Sequence, residues 1–84
     1  KKVYRHIGIL KAHGLDLSMP FSKRLAKDLY ELRILGTVNV RIFYTPKEDS
    51  IWLLHGFIKT THKIPLRHME LGYRRLKNLT QYNP

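Results

Sequence analysis

The sequence predicts one α+β domain, in which a small antiparallel β-sheet of about three to four strands is flanked by an N-terminal and a C-terminal helix. Three observations support this: helical spacing of apolar residues at the start, β-rich runs with short turns in the middle, and a basic amphipathic segment after Pro65. At 84 residues the chain has room for one domain, residues 1–84, because a core of this size buries only roughly 60–65% of the surface of the unfolded chain.

The first predicted element is a helix over residues 2–13. Val3, Ile7 and Leu10 recur at helical spacing, and Gly14 follows as a C-terminal stop. The next stretch has no sustained hydrophobic period, and its Pro20 predicts a turn. We expect a connector there, with one helical turn after the proline and before the sheet, ending at Leu25.

Three β-rich runs follow and predict an antiparallel meander. The turns between them are short and polar, whereas parallel strands would need crossovers of about a dozen or more residues. The predicted strands run from Leu29 to Leu35, from Val38 to Thr45, and from Ser50 to Phe57 or slightly beyond.

Alternation of side chains along the first two of these strands brings two arginines together. Arg33 shares a face with Glu31, opposite Leu32, and Arg41 lies opposite Ile42. We therefore expect Arg33 to face away from the core and the two strands to present Arg33 and Arg41 side by side.

The last predicted element is a basic amphipathic helix after Pro65, a residue that suits the first turn of a helix. Its apolar residues recur at helical spacing, and its basic residues lie largely off this stripe. We interpret the stripe as a surface that packs against the core or a partner. It consists of Leu66, Met69, Tyr73, Leu76 and Leu79.

Charge is the most informative feature of the composition. The chain carries 16 Lys and Arg against 6 Asp and Glu, a formal net charge of +10. Such a charge attracts polyanions, so nucleic acid is the leading partner, ahead of an acidic protein or an anionic membrane; a solvated basic surface is the alternative. The absence of Cys and of an apolar run of roughly 20 residues favours a cytoplasmic protein that does not cross a membrane.

Several enzyme classes lack their motifs in this sequence. There is no phosphate-cradling glycine-rich loop, no nucleophile elbow and no zinc-binding helix of the His-Glu-x-x-His type. No pair among the five His combines metal-ligand spacing with a nearby acidic third ligand, so we predict neither a metal nor a cofactor. The few acids also argue against a paired-carboxylate mechanism.

The residues that leave the last strand suit a phosphate. They are Lys59, Thr60, Thr61, His62 and Lys63. Arg33 and Arg41 on neighbouring strands would complete a pocket, since guanidinium groups bind phosphate oxygens in pairs. Cleavage of RNA through the 2′-hydroxyl needs a proton acceptor, cations around the phosphate, and a proton donor for the departing oxygen. Solvated lysines at a strand end are the alternative explanation.

Four segments in register carry a resemblance to a known family. They are Leu29-Tyr30-Glu31-Leu32-Arg33, Val40-Arg41-Ile42-Phe43-Tyr44, Leu53-Leu54-His55-Gly56-Phe57-Ile58-Lys59 and Thr61-His62-Lys63-Ile64-Pro65. Together they resemble the phage-derived HigB-like branch of the RelE toxin superfamily. The likeness runs from about Ile7 to Leu79, and Pro20 to Leu25 is similar to that family's Pro-x-x-Lys-x-Leu segment.

The resemblance implies the toxin of a type II toxin–antitoxin system, an endoribonuclease that cleaves mRNA without a metal, often on the ribosome, and so inhibits translation and growth. It also implies a RelE-like fold and a cognate antitoxin, frequently a helix-turn-helix DNA-binding protein. Carried over by motif, the catalytic residues are Arg33, Arg41 and Lys59. The RNA-binding residues are Lys23, Thr60, Thr61, His62 and Lys63.

One position departs from the family pattern, because Thr60 stands where the family usually has a second Lys. This implies weaker cleavage, compensation by His62, or a deliberately attenuated variant. The family's N-terminal helix also tends to extend further upstream, and this sequence begins without Met, so we expect a truncated start. From the residues alone, a non-catalytic RNA-binding module and a protein that docks an acidic partner are alternatives to the ribonuclease.

Overall fold

A computed structural model describes residues 2–81, which form a four-stranded antiparallel sheet with a helix before it and a helix after it. Along the chain the elements are α1 (Lys2–His13), a 3-10 helix (Gly14–Asp16), β1 (Ser22–Ala26), β2 (Leu29–Ile34), β3 (Val40–Lys47), β4 (Ser50–Ile58) and α2 (Leu66–Thr80). The strand order in the sheet is β1-β2-β3-β4, so consecutive strands are neighbours. The predicted fold class, first helix and antiparallel meander are confirmed.

The segment after Pro20 is a strand, so the predicted helical turn through Leu25 is wrong. Lys23 pairs with Glu31 of β2 in antiparallel register. Strand β1 lies at the edge of the sheet and exposes its cationic residues Lys23 and Arg24. Charged residues on an edge strand break the apolar alternation that identifies inner strands, which is why the sequence pattern did not indicate it.

The ends of β3 also differ from the prediction. The strand begins at Val40 and continues through Pro46, which pairs with Ile51 of β4. The turn into β4 is therefore only two residues long, and its first residue, Glu48, has φ of 57°. A positive φ at this position is what a tight two-residue hairpin turn requires, because its twist must match that of the strands.

Each face of the sheet packs against one helix. The cluster on the α1 side contains Leu10, Leu32, Ile34, Ile42 and Tyr44. The cluster on the α2 side contains Leu29, Phe43, Leu54 and Phe57, with Met69, Leu76 and Leu79 packed against it. Arg33 faces away from the cluster on the α1 side, as expected. Its own face of the sheet is nevertheless covered by α2 and its cluster.

Helix α2 packs closely against the sheet at Gly72, which is buried. A Cβ atom at this position would lie 2.6 Å from Cδ2 of Phe43, so only glycine fits without a shift. Leu66 and Tyr73 of the predicted stripe are 70% and 44% exposed, so these two residues do not pack against the core, and their packing against a partner stays a prediction. The buried line of the helix passes through a glycine that a hydropathy pattern does not mark. Neither helix within residues 2–81 is long and apolar enough to span a bilayer.

Candidate functional site

A cavity of about 340 Å³ opens on the α2 side of the sheet, where β1, β2, the end of β4 and the start of α2 meet. Its basic lining residues are Lys23, Arg33, Lys59, His62 and Lys63. The other lining residues are the acid Glu31 and the apolar residues Leu25, Ile64 and Met69. Five of the eight predicted site residues thus surround one cavity, although they come from three separate parts of the chain.

Strand pairing positions the cations of this cavity. Lys23 on β1 lies opposite Glu31 on β2, and Arg33 follows on the same face of β2, two residues further along the strand. Lys59 comes directly after β4, and its backbone N–H donates to the carbonyl of Asn39 with an N–O distance of 2.8 Å. This bond holds the end of β4 against the start of β3 and fixes the point from which the Lys59 side chain extends.

The loop between β4 and α2 delivers His62 and Lys63 to the cavity. Within this loop the hydroxyl of Thr61 donates to the carbonyl of Lys63 at 2.5 Å. Thr60 and Thr61 do not line the cavity, although both are exposed beside it. Their predicted contact with RNA therefore stays a prediction, and Thr61 has a visible structural role in shaping the loop.

Glu31 is buried between two arginines. Its Oε2 lies 3.5 Å from Nε of Arg41, and its Oε1 lies 3.7 Å from Nε of Arg33. Glu31 and Arg41 are each only 3% exposed, whereas the Arg33 side chain is 23% exposed. Arg33 and Arg41 lie directly opposite each other on β2 and β3, where like charges repel. The carboxylate of Glu31 offsets that repulsion and holds Arg33 at the cavity.

Arg41 supports the cavity from behind and does not line it. Burial lowers the pKa of its guanidinium, the carboxylate of Glu31 raises it, and the charge of Arg33 lowers it. A guanidinium stays charged in proteins, so Arg41 still contributes positive potential. The side chain of Arg41 lies behind Glu31, away from the cavity. The predicted direct contact of Arg41 with a phosphate stays a prediction.

Arg33 and Arg41 each have one N–H donor, Nε, without a hydrogen-bond acceptor among the described residues. The Nε atoms of Arg33 and Arg41 are buried and have no hydrogen-bond partner within residues 2–81, since 3.5 and 3.7 Å are long for a hydrogen bond. Both atoms face the carboxylate of Glu31, so these donors belong to a buried charged group and are not directed at a ligand in the cavity. Four cations, Lys23, Arg33, Lys59 and Lys63, line the cavity with one carboxylate, so the cavity as a whole attracts anions.

Sequence reasoning missed the apolar wall of the cavity, which is formed by Leu25, Ile64 and Met69. Leu25 comes from the strand that was expected to be helical, so its place could not be predicted. Ile64 directly precedes Pro65 and Met69 lies in the first turn of α2, and their apolar character beside a cationic loop is a signal the sequence does contain. An apolar wall next to cations suits a ligand with both a flat apolar part and a charged part.

A second group of rings joins β4 to α2. His55 Nε2 lies 2.8 Å from His68 Nδ1, and the rings of Phe57 and His68 stack with centroids 4.1 Å apart. Burial lowers the pKa of His55, and the neighbouring His68 and Arg75 lower it further. Within residues 2–81, no group of three or more His, Cys, Asp or Glu side chains is arranged to hold a metal ion.

Residues 1–77 match the family described as phage-derived protein Gp49-like (DUF891). The matched range contains every residue that lines the cavity. Among curated proteins, none matches the chain.

Proposed function

The chain belongs to the Gp49-like family of phage-derived proteins, a family associated with the toxins of toxin–antitoxin systems, and from this premise we propose that it is a RelE/HigB-like endoribonuclease. It acts as the toxin of a type II pair, cleaves mRNA on the ribosome, and so stops translation and growth. The observation that carries the proposal is the cavity in which Lys23, Arg33, Lys59, His62 and Lys63 surround one carboxylate.

The cations account for binding and for stabilisation of charge. A phosphodiester under attack gains negative charge on its non-bridging oxygens, and fixed cations that face those oxygens lower the barrier. Lys59 and Arg33 are the groups assigned to this task, because Lys59 is held at the end of β4 and Arg33 is held by Glu31. Lys23 and Lys63 bind the neighbouring phosphates of the strand.

The reaction uses the 2′-hydroxyl of the RNA as its nucleophile and needs no metal. The 2′-oxygen attacks the phosphorus and gives its proton to a basic side chain, the bond from phosphorus to the 5′-oxygen breaks, and the departing oxygen receives a proton. The products are a 2′,3′-cyclic phosphate and a 5′-hydroxyl end. His62 is the imidazole in the cavity and takes the first proton, and Lys59 supplies the second.

An antitoxin would silence this activity by covering the cationic surface. A net charge of +10 favours an acidic partner, and in this proposal the partner is the cognate antitoxin, a helix-turn-helix DNA-binding protein. Copurification with an acidic protein would not separate a ribonuclease from a docking protein, so the test of function is cleavage of RNA.

The test measures cleavage in cells and in solution. The chain is induced in bacteria, growth is followed, and new mRNA 5′ ends are mapped by primer extension, with wild type, Arg33→Ala and Lys59→Ala in parallel. The matched control is Arg5→Ala, which removes an exposed cation of α1 that does not line the cavity. Purified proteins are then assayed on ribosomes that carry an mRNA oligonucleotide and on ribosomes that carry the same oligonucleotide with deoxyribose at the cleaved position.

We expect growth arrest and new 5′ ends with wild type and Arg5→Ala, and a loss of cleavage of about 100-fold or more with Arg33→Ala and Lys59→Ala. The deoxyribose substrate is not cleaved. Thr60→Lys, which restores the family's second lysine, raises the rate. Folded protein that binds RNA in a strongly salt-dependent manner but never cleaves it would instead support a binding module.

A further inference from the structure

An exposed apolar run precedes the edge strand β1. Met19, Pro20 and Phe21 are consecutive and all exposed, with 55% of Met19 and 44% of Phe21 open to solvent. Neither buried cluster of the described chain includes them. A single exposed apolar residue needs no explanation, but three in a row beside a cationic cavity indicate a surface that meets a ligand.

Backbone hydrogen bonds hold this run against the sheet. The N–H groups of Phe21 and Ser22 both donate to the carbonyl of Ser18, with N–O distances of 2.9 and 3.1 Å. The carbonyl of Phe21 accepts from the N–H of Arg33 at 2.8 Å. The hydroxyl of Ser22 is buried and hydrogen-bonded to that of Tyr44. The exposed side chains therefore stand on a fixed backbone, so a ligand that binds them loses little free energy in ordering the chain.

The strand register brings Phe21 to the face of the sheet that carries the cavity. Ser22 pairs with Leu32, so the hydrogen bond between Phe21 and Arg33 extends the antiparallel pairing by one residue. Lys23 lines the cavity, and Phe21 lies two residues before it, so the two side chains point to the same face. Phe21 does not line the cavity itself but borders it through its pairing with Arg33.

The side chain of Arg33 connects the cavity with the apolar run. Its Nε faces the carboxylate of Glu31, and its Nη1 donates to Sδ of Met19 at 3.5 Å. The side chain is 23% exposed, so its guanidinium is open to a phosphate at this border. In a nucleotide the base is joined to its phosphate through one sugar. A phosphate held at Arg33 therefore has a base beside the run.

We propose that Phe21 and Met19 form a platform on which one nucleobase stacks, next to the phosphate that is cleaved. This inference rests on the proposed function, because it names a second contact of the same RNA. An aromatic ring and a polarisable thioether suit the flat faces of a base, and stacking on an aromatic ring tolerates any base. The platform adds affinity and positions the strand without selecting a sequence.

The surroundings of the platform favour a nucleotide over an acidic peptide. Lys23 and Arg33 border it, and Glu31, the one acid that lines the cavity among the described residues, is only 3% exposed. Both ligands carry negative charge. Every nucleotide joins that charge to a flat ring, whereas an acidic side chain ends in the charge. An acidic peptide is therefore the competing ligand in the test.

The test measures RNA binding by the full chain at low salt, where a net charge of +10 makes the affinity high enough to measure. The probe is a labelled single-stranded RNA with methylated 2′-hydroxyls, which is bound but cannot be cleaved. A series of the same RNA carries one abasic residue at each position in turn. Fluorescence anisotropy gives the affinities, and a glutamate-rich peptide with the same number of charges is measured in parallel.

The protein variants separate the ring from the charges. We expect Phe21→Ala to weaken binding of the intact RNA about 5- to 150-fold, the contribution of one base stacked on an aromatic ring. Phe21→Tyr keeps a ring and should bind like wild type. The matched control is Tyr4→Ala, which removes an 80% exposed ring of α1 and should also bind like wild type.

The abasic series assigns the effect to one base. At one position, loss of the base should weaken binding to wild type as much as Phe21→Ala does, and the two changes together should cost no more than either alone. Lys59→Ala should weaken binding of the intact and the abasic RNA by the same factor, because a phosphate contact does not involve the base.

The inference is overturned if the intact RNA does not bind, if Phe21→Ala leaves its affinity unchanged, or if the losses from Phe21→Ala and from each abasic residue multiply. Peptide binding that Phe21→Ala weakens by the same factor overturns the choice of a nucleobase. If Phe21→Ala does not fold, Phe21→Leu replaces it, since leucine is apolar but has no ring.

These affinities do not depend on cleavage, so the two proposals can fail separately. A chain that shows the coupling between Phe21 and one base but never cleaves mRNA on ribosomes would contradict the proposed function alone. A chain that cleaves mRNA but shows no such coupling would contradict the platform alone.

Discussion

On the α1 side of the sheet the buried cluster is apolar, and the polar group that joins it is the hydrogen-bonded pair of the Ser22 and Tyr44 hydroxyls. On the α2 side a comparable apolar cluster around Phe43 shares its face with the buried Glu31 and Arg41. Burying ions costs free energy even when they are paired. The difference indicates that the α1 side serves stability, whereas the α2 side gives up some stability to hold cations at a cavity.

The largest expected effect comes from removing Glu31, the carboxylate that is paired with Arg33 and Arg41 on the α2 side. Glu31→Ala leaves Arg41 buried without a carboxylate, and we expect the free energy of unfolding to fall by about 3–5 kcal/mol in urea titrations. The double variant Glu31→Leu with Arg41→Met should recover most of this loss, because it replaces ions with apolar groups. It should not recover RNA cleavage. A double variant that cleaves RNA normally would show that these charges serve structure alone.

A smaller effect on stability is expected from replacing one glycine in each helix, Gly72 in α2 and Gly8 in α1. Gly72→Ala crowds Phe43 and should cost about 1–3 kcal/mol, more than the gain of up to about 1 kcal/mol from better helix propensity. Gly8 of α1 has open space around it, so Gly8→Ala should stabilise the protein by about 0.5–1 kcal/mol. Thermal melts of both variants give the comparison. Equal shifts of the melting temperature would contradict the close contact of α2 with the sheet.

The polar pair on the α1 side predicts an effect on stability without an effect on activity. Burial raises the pKa of Tyr44, and the hydrogen bond between its hydroxyl and that of Ser22 lowers it. Tyr44→Phe leaves the buried Ser22 hydroxyl without this partner and should cost about 1–2 kcal/mol. The double variant with Ser22→Ala should be closer to wild type. RNA cleavage should not change in any of the three, and a loss of cleavage would contradict the division of roles between the two faces.

The smallest effect is a dependence on pH that arises on the α2 side. The folded state lowers the pKa of His55 through burial, His68 and Arg75, so below about pH 6.5 the unfolded state binds more protons at this residue. The stability that His55 contributes is therefore complete above about pH 6.5 and is lost as the pH falls towards the lowered pKa. Melting temperatures measured across this range should fall with acidification, and His55→Phe should make the fall shallower.

The sequence by itself determined the elements whose signals are local. The spacing of Val3, Ile7 and Leu10 was enough for α1, and short polar turns between β-rich runs were enough for the meander. Alternation placed Arg33 and Arg41 on one face, and their pairing across β2 and β3 confirms it. These patterns can be recognised without the fold because each depends on residues a few positions apart.

The tertiary structure alone decided which of these residues meet. The edge strand β1 has no apolar alternation, so only its pairing with β2 identifies it and brings Lys23 to the cavity. Arg41 lies behind Glu31, and Thr60 and Thr61 lie outside the cavity, because those positions depend on how α2 and its loop pack against the sheet. Gly72 sets that packing through its contact with Phe43. Distances between residues far apart in the chain follow from packing, and a single sequence contains no local signal for them.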